Sequence, residues 1–355
     1  MSEDIYRDLQ VRLDGFSFGF PAAASGVEID LLKMLFTEAD AVLFLAMSRS
    51  LETAEEIAGR TGDGPDEIAV RLEDMTGRGL LFRMKKGDRA RYGAVPFMHG
   101  IYEFQLRRMD RDMAALIEAY MLEAFGEAVV RGAAGFVRTV PVQRIVDATP
   151  HIAAYEDVCR ILRNTEKIVV GECLCRKQQA LIDQGCGKPL EVCFMFGAMG
   201  QFYLDQGMGR RIEAEEAVRI MKEAQEAGLV TQPATAANPG GICNCCGDCC
   251  GVLRSLNRHP EPASLVFSNY FAEADPDLCT GCETCIDRCQ MAAIALDDQD
   301  RARIDLKRCI GCGLCVMSCP AEALRLAAKP EGRFRTPPAD TREQQVFLAR
   351  LVGRD

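Results

Sequence analysis

The 355-residue chain has no tryptophan, and aromatic residues make up only 7% of it. Stacking platforms for single-stranded nucleic acid are therefore scarce. Its three histidines, His99, His151 and His259, stand far apart with no HExxH or other paired spacing. That excludes a histidine-built zinc hydrolase, and each is expected to be structural. No C-x-x-C-H occurs, which excludes covalent c-type haem. Gly207-Met208-Gly209 lacks both the P-loop lysine and the dinucleotide-binding spacing, so no nucleotide site is expected. No apolar run approaches the roughly 18 residues of a membrane span. The start, Met1-Ser2-Glu3-Asp4, has no basic stretch leading into an apolar one, so no signal peptide is expected. Positive charge is also short: 42 basic residues against 52 acidic ones give a net charge of −10. That balance disfavours a phosphate backbone as the main partner.

What the chain has in excess is cysteine, 18 residues. In the cytoplasm, the expected location, thiols stay reduced, and such a number reads as metal ligation rather than disulfides. Cys279-x₂-Cys282-x₂-Cys285-x₃-Cys289 and Cys309-x₂-Cys312-x₂-Cys315-x₃-Cys319 are two copies of one pattern, offset by 30 positions (309 − 279). Three soft thiolates at x₂ steps reach three irons of one [4Fe–4S] cube, and the fourth cysteine of each run ligates the other cube. The expected sets are Cys279, Cys282, Cys285 and Cys319 for one cluster, and Cys309, Cys312, Cys315 and Cys289 for the second. The repeat extends to Gly281/Gly311, Ala293/Ala323, Ile294/Leu324 and Leu296/Leu326. Those glycines are expected to let backbone N–H groups approach sulfur. From about Asp277 to Leu326 the chain resembles bacterial-type two-cluster ferredoxins, with Gln290 where that family usually carries the proline seen at Pro320.

Ten cysteines remain. Cys159 is alone in an expected helix and reads as a small buried hydrophobe. The other nine are Cys173, Cys175, Cys186 and Cys193, then Cys243, Cys245, Cys246, Cys249 and Cys250. Cys173-Leu174-Cys175 follows the strand-like Ile168-Val169-Val170. In extended chain both thiols would face one side. Cys245/Cys249 and Cys246/Cys250 are spaced as pairs on a helical turn. Nine ligands allow one or two further clusters. Zinc stapling a loop-rich domain is the alternative, but the crowded double cysteines favour iron–sulfur. Arg176 and Lys177 are either partners of the first thiolates or solvated charges.

The expected fold class is α+β and multidomain. An N-terminal extension occupies residues 1–25. Residues 26–96 show helical periodicity over Glu28–Phe36, Glu38–Met47, Ala54–Gly59 and Pro65–Thr76, then strands Leu80–Lys85 and Arg91–Val95. This order resembles the winged helix-turn-helix superfamily. A helical connector follows over 97–165, with one apolar-striped stretch from Met98 to Val130. Then come a cysteine-rich iron–sulfur domain at 166–270, with its clearest helix at Glu213–Ala227, the ferredoxin domain at 271–328, and a tail at 329–355 with a helix at Glu343–Leu351. Over most of its length the chain resembles a family of iron–sulfur proteins of anaerobic bacteria and archaea with a front winged helix. That resemblance implies no particular reaction.

From Leu51 to Gly79, where a recognition helix would lie, eight acids outnumber three bases. A helix entering a groove walled by phosphates is neutral or basic, so sequence-specific DNA binding is not expected and protein contact is. The expected function is single-electron relay between redox partners. The alternatives are a redox-sensing transcription regulator and an oxidoreductase whose central cluster has an open iron. Residues 275–328, reconstituted without oxygen, are expected to hold about eight irons and eight sulfides; recovery of four would remove one cluster from the assignment.

Overall fold

The computed structural model describes residues 4–143, 145 and 153–353; His151 lies outside them. The front of the chain is helical: α1 (Ile5–Asp14), α2 (Val27–Leu35), α3 (Glu38–Ala46), α4 (Ala54–Thr61) and α5 (Pro65–Gly77). Their starts follow from capping chemistry. Thr37 and Asp40 exchange hydrogen bonds as a capping box at α3, Thr53 and Glu56 do so at α4, and Pro65 opens α5. A hairpin follows, β1 (Leu81–Lys86) and β2 (Arg89–Ala94), turning at Gly87-Asp88. Helix α1 is no loose extension: Leu9 and Leu13 are fully buried against the neighbouring helices.

The stretch expected as one helix from Met98 to Val130 is broken. His99 has φ +61° and interrupts the chain before α6 (Tyr102–Phe104). Residues 105–110 are non-helical. The Asp110 carboxylate accepts the Met113 N–H and starts α7 (Arg111–Tyr120), which runs on through one wide turn into α8 (Gly126–Phe136). Apolar periodicity persisted across these breaks because every piece faces the same core.

The centre is a five-stranded antiparallel sheet in which Gly209–Ile212, Ile168–Glu172, Glu191–Phe196, Gly241–Cys245 and Val230–Pro233 lie side by side in that order. Helix α9 (Val158–Arg163), containing buried Cys159, precedes β3 (Ile168–Glu172). Helix α10 (Leu174–Leu181) follows, then β4 (Glu191–Phe196), α11 (Gly197–Asp205), β5 (Gly209–Ile212), α12 (Ala214–Glu226), β6 (Val230–Pro233), β7 (Gly241–Cys245) and α13 (Gly251–Asn257). The last part pairs β8 (Tyr270–Ala274) with β11 (Leu324–Ala328), and β9 (Ile294–Leu296) with β10 (Ala302–Ile304). Two one-turn helices, α14 (Thr284–Arg288) and α15 (Leu314–Ser318), sit between them. The tail is anchored by α16 (Thr341–Leu351), where buried Gln344 donates to the carbonyls of Gly135 and Phe136 at the end of α8.

One carboxylate ties the connector to the centre. Glu118 on α7 accepts from Gln179 of α10 at 2.7 Å and from both terminal nitrogens of Arg254 on α13, one at 2.8 Å. Burial alone would raise the Glu118 carboxyl, but Arg254 and Gln179 outweigh it and the net shift is downward. A carboxylate held below its unfolded value adds stability that is complete above the ordinary carboxylate range and lost as pH falls through the folded value. Glu118→Ala is therefore expected to cost about 3 kcal/mol in anaerobic denaturant unfolding. The deficit should be the same at about pH 8 and about pH 6.

Candidate metal centres

The two four-cysteine runs fold as related loops. Cys279, Cys282, Cys285 and Cys319 line one pocket with Thr280, Gly281, Leu296, Ala302 and Leu324. Cys289, Cys309, Cys312 and Cys315 lie within electrostatic reach of one another. Backbone N–H groups of Ala302, Ala293 and Ala272 donate to the sulfurs of Cys279, Cys289 and Cys309, each at 3.3 Å. Gly281 and Gly311 both have φ +68° and press against carbonyls: a Cβ would lie 2.6 Å from the Asp300 oxygen or 2.2 Å from that of Tyr270. The glycines close the loops onto neighbouring backbone, and the Gly311 N–H also reaches the Cys309 sulfur, beside the donors from Ala272, Ala293 and Ala302.

The two copies differ in setting. Cys282 is exposed. Around the second copy, Val142 donates its N–H to the Cys312 carbonyl, and burial pushes the Cys312 thiol up to about 12. Gln290 is the join to the rest. Its side chain accepts the Gly247 N–H at 2.7 Å, and its carbonyl accepts Asn257 Nδ2 at 2.9 Å. The residue that departs from the ferredoxin proline thus fastens the turn after Cys289 to the central cysteine loop.

The nine central cysteines separate into two groups. Six form a closed ring of neighbouring thiols: Cys173, Cys175, Cys250, Cys245, Cys243, Cys193 and back to Cys173. Cys186, Cys246 and Cys249 form a compact triad, with all three sulfurs within 4.8 Å of one another. Strand alternation makes the division. Cys243 and Cys245 lie two apart on β7 and share a face, while Asn244 between them points away. Asn244 is held there by the Val192 carbonyl and Thr231. Cys246 follows Cys245 and falls to the triad, as Cys249 does beside Cys250. The expected pairs 245/249 and 246/250 do not form; the pairs are 245/250 and 246/249, because α13 begins only after Cys250. Nor are Cys173 and Cys175 on one extended strand. Cys173 caps α10 and Cys175 lies in its first turn, where the Gly251 N–H reaches its sulfur.

Arg176 is buried against the ring. Burial would lower its guanidinium, but Cys173, Cys193, Cys245 and Cys246 outweigh it and hold it charged. Its Nη1 donates to the Asn244 carbonyl, and its Nε and Nη2 have no partner in the protein. Lys177 turns away to the Leu106 carbonyl at 2.8 Å. Several groups beside the ring were not singled out by sequence. The Tyr102 hydroxyl contacts the Cys175 thiol and donates to Gln178. Glu103, pushed up to about 7 by burial, accepts the Gly100 N–H. His99 is lowered by burial in the same neighbourhood, and Tyr203 closes the wall. The His99 ring itself packs on Phe136 with centroids 3.9 Å apart. His259 is remote, its Nδ1 accepting the Glu261 N–H.

Residues 278–323 match the family described as a 4Fe-4S dicluster domain. A protein described as a probable ferredoxin from Methanosarcina thermophila is 50% identical over 34 residues, 10% of this chain and 59% of that protein. The chain thus spans about three-fifths of this curated relative's length. No solved structure matches the chain. The C-terminal part is a ferredoxin-type domain that binds [4Fe–4S] centres, on a mixed helix and sheet framework. No described helix is long and apolar enough to cross a membrane.

The donors fit that chemistry. All eight ferredoxin-type sulfurs stand too far apart for any three to share one small ion, as capping different corners of a cube requires. Gln290→Ala leaves the part-buried Gly247 N–H without its acceptor. It is expected to lower stability by about 1–3 kcal/mol, read in anaerobic denaturant unfolding, and to speed iron loss to a chelator.

Proposed function

We propose that this chain relays single electrons through several iron–sulfur centres. The observation that carries the reading is the Gln290 link, which joins the inner ferredoxin loop to the central cysteines. Cys279, Cys282, Cys285 and Cys319 hold an outer [4Fe–4S] cluster. Cys309, Cys312, Cys315 and Cys289 hold an inner one, and the six-thiol ring holds further iron–sulfur. These clusters supply one-electron redox capacity. The chain's own residues set its cost. The N–H groups of Ala272, Ala293 and Ala302 stabilise negative charge on sulfur, and the two unpartnered nitrogens of Arg176 offset charge at the ring. Exposed Cys282 marks the rim where a redox protein partner docks.

Residues 26–96 are best read as a winged-helix-like domain used for protein contact within this chain. The base of its hairpin is occupied: Phe82 packs on Phe202 of α11 with ring centroids 5.1 Å apart, and Arg83 pairs with Glu73 and with Asp205 at 3.4 Å. A second reading, an oxidoreductase acting at the central centre, is favoured by the interior acid–base groups His99, Glu103 and Tyr102 beside Cys175. Full-length protein purified without oxygen is expected to carry more than eight irons, eight of them retained when Cys193→Ser and Cys245→Ser empty the ring. Eight or fewer irons in the native protein would overturn the relay through the centre.

A further inference from the structure

We infer that Cys186, Cys246 and Cys249 form a separate site for a single tetrahedral zinc ion, with the fourth position left to a ligand from outside the chain. The spacing decides between one ion and a cluster. Thiolates about 2.3 Å from a shared zinc stand about 3.8 Å from each other in a tetrahedron. Cys186 Sγ and Cys246 Sγ are 3.7 Å apart, and Cys249 contacts both. In a cube each thiolate caps a different iron and the sulfurs spread apart. Among the described residues no three ferredoxin-type or ring cysteines approach one another as these do. For these three, zinc replaces the iron–sulfur expectation.

Among the described residues no further histidine, cysteine, aspartate or glutamate joins the three sulfurs. Asp248 is the acid nearest in the chain, but its carboxylate is held by Lys188 Nζ at 2.6 Å and does not join the group. Three protein ligands with a fourth position left for water or another small ligand is the donor count of open zinc sites such as catalytic ones, whereas structural zinc sites are closed by four. Cys246 and Cys249 are buried, whereas Cys186 is half-buried on the mostly exposed loop before β4, so the fourth position is reached from the Cys186 side. The thiolates are soft donors that suit a zinc ion and a further sulfur ligand.

The proposal goes beyond the electron-relay reading and fails separately from it. Full-length protein, made with zinc and iron supplied and purified without oxygen, is measured for both metals and by X-ray absorption at the zinc edge. The expected result is about one zinc per chain, with three sulfurs and one lighter donor. Added 2-mercaptoethanol should raise the sulfurs from three to four. Cys186→Ser, on its exposed loop, should abolish the zinc while leaving the iron unchanged, and the unchanged iron reports that the fold is intact. Lys188→Ala frees Asp248 and should retain zinc while blocking entry of the added thiol. Loss of iron on Cys186→Ser, no zinc in the native protein, or four protein sulfurs at the zinc edge would each overturn the proposal. Zinc present with only eight irons would leave it standing and sink the central relay instead.

Discussion

Glu118 grips two helices at once, and the central thiol ring depends on that grip. Helix α10 begins at Cys173 and carries Cys175; α13 begins after Cys250. Gln179 on the first and Arg254 on the second both end on the one carboxylate. Bringing six thiols together in an interior sets like groups side by side, an arrangement that neighbouring charge opposes. A buried, fully hydrogen-bonded anchor on a third element fixes the two helix starts against that opposition. The sheet supplies the other half of the ring through Cys193 on β4 and Cys243 and Cys245 on β7.

Doubled cysteines acquire a simple geometric meaning. Neighbouring residues on extended chain face opposite ways, so Cys245 and Cys246 serve different groups. The helix start at Cys250 does the same for Cys249. Two groups can then share one short loop, and Gln290 brings the ferredoxin-type domain to that loop through Gly247. The hairpin presses on α11 rather than standing free, α2 lies against α7, and α16 presses on α8. The outer copy of the ferredoxin repeat, by contrast, keeps an exposed cysteine.

Much of this was legible in the residues. The repeat of 30 and its ligand-type spacing identified the ferredoxin-type domain, because short spacing makes the loop geometry local. Thr37, Thr53 and Pro65 marked helix starts for the same reason: a cap acts within three or four residues. The boundaries failed where long-range contacts decide. Periodicity joined Met98 to Val130 into one helix, although His99 and Asp110 break it, because each piece faces the same core.

The sequence by itself determined which cysteines come in ligand-type runs, that Cys159 stands apart from them, and that the expected recognition region is acidic. Only the tertiary structure decided that nine central cysteines become six and three, that Gln290 reaches Gly247, and that His99, Tyr102 and Glu103 stand beside the ring. The physical reason is range. Spacing and capping are settled within a turn or two of chain, whereas the central grouping joins Cys173 to Cys193 and Cys250 across strands whose register is set by the whole sheet. No local pattern carries that register, and the partners of Glu118 lie 61 and 136 residues away in the chain.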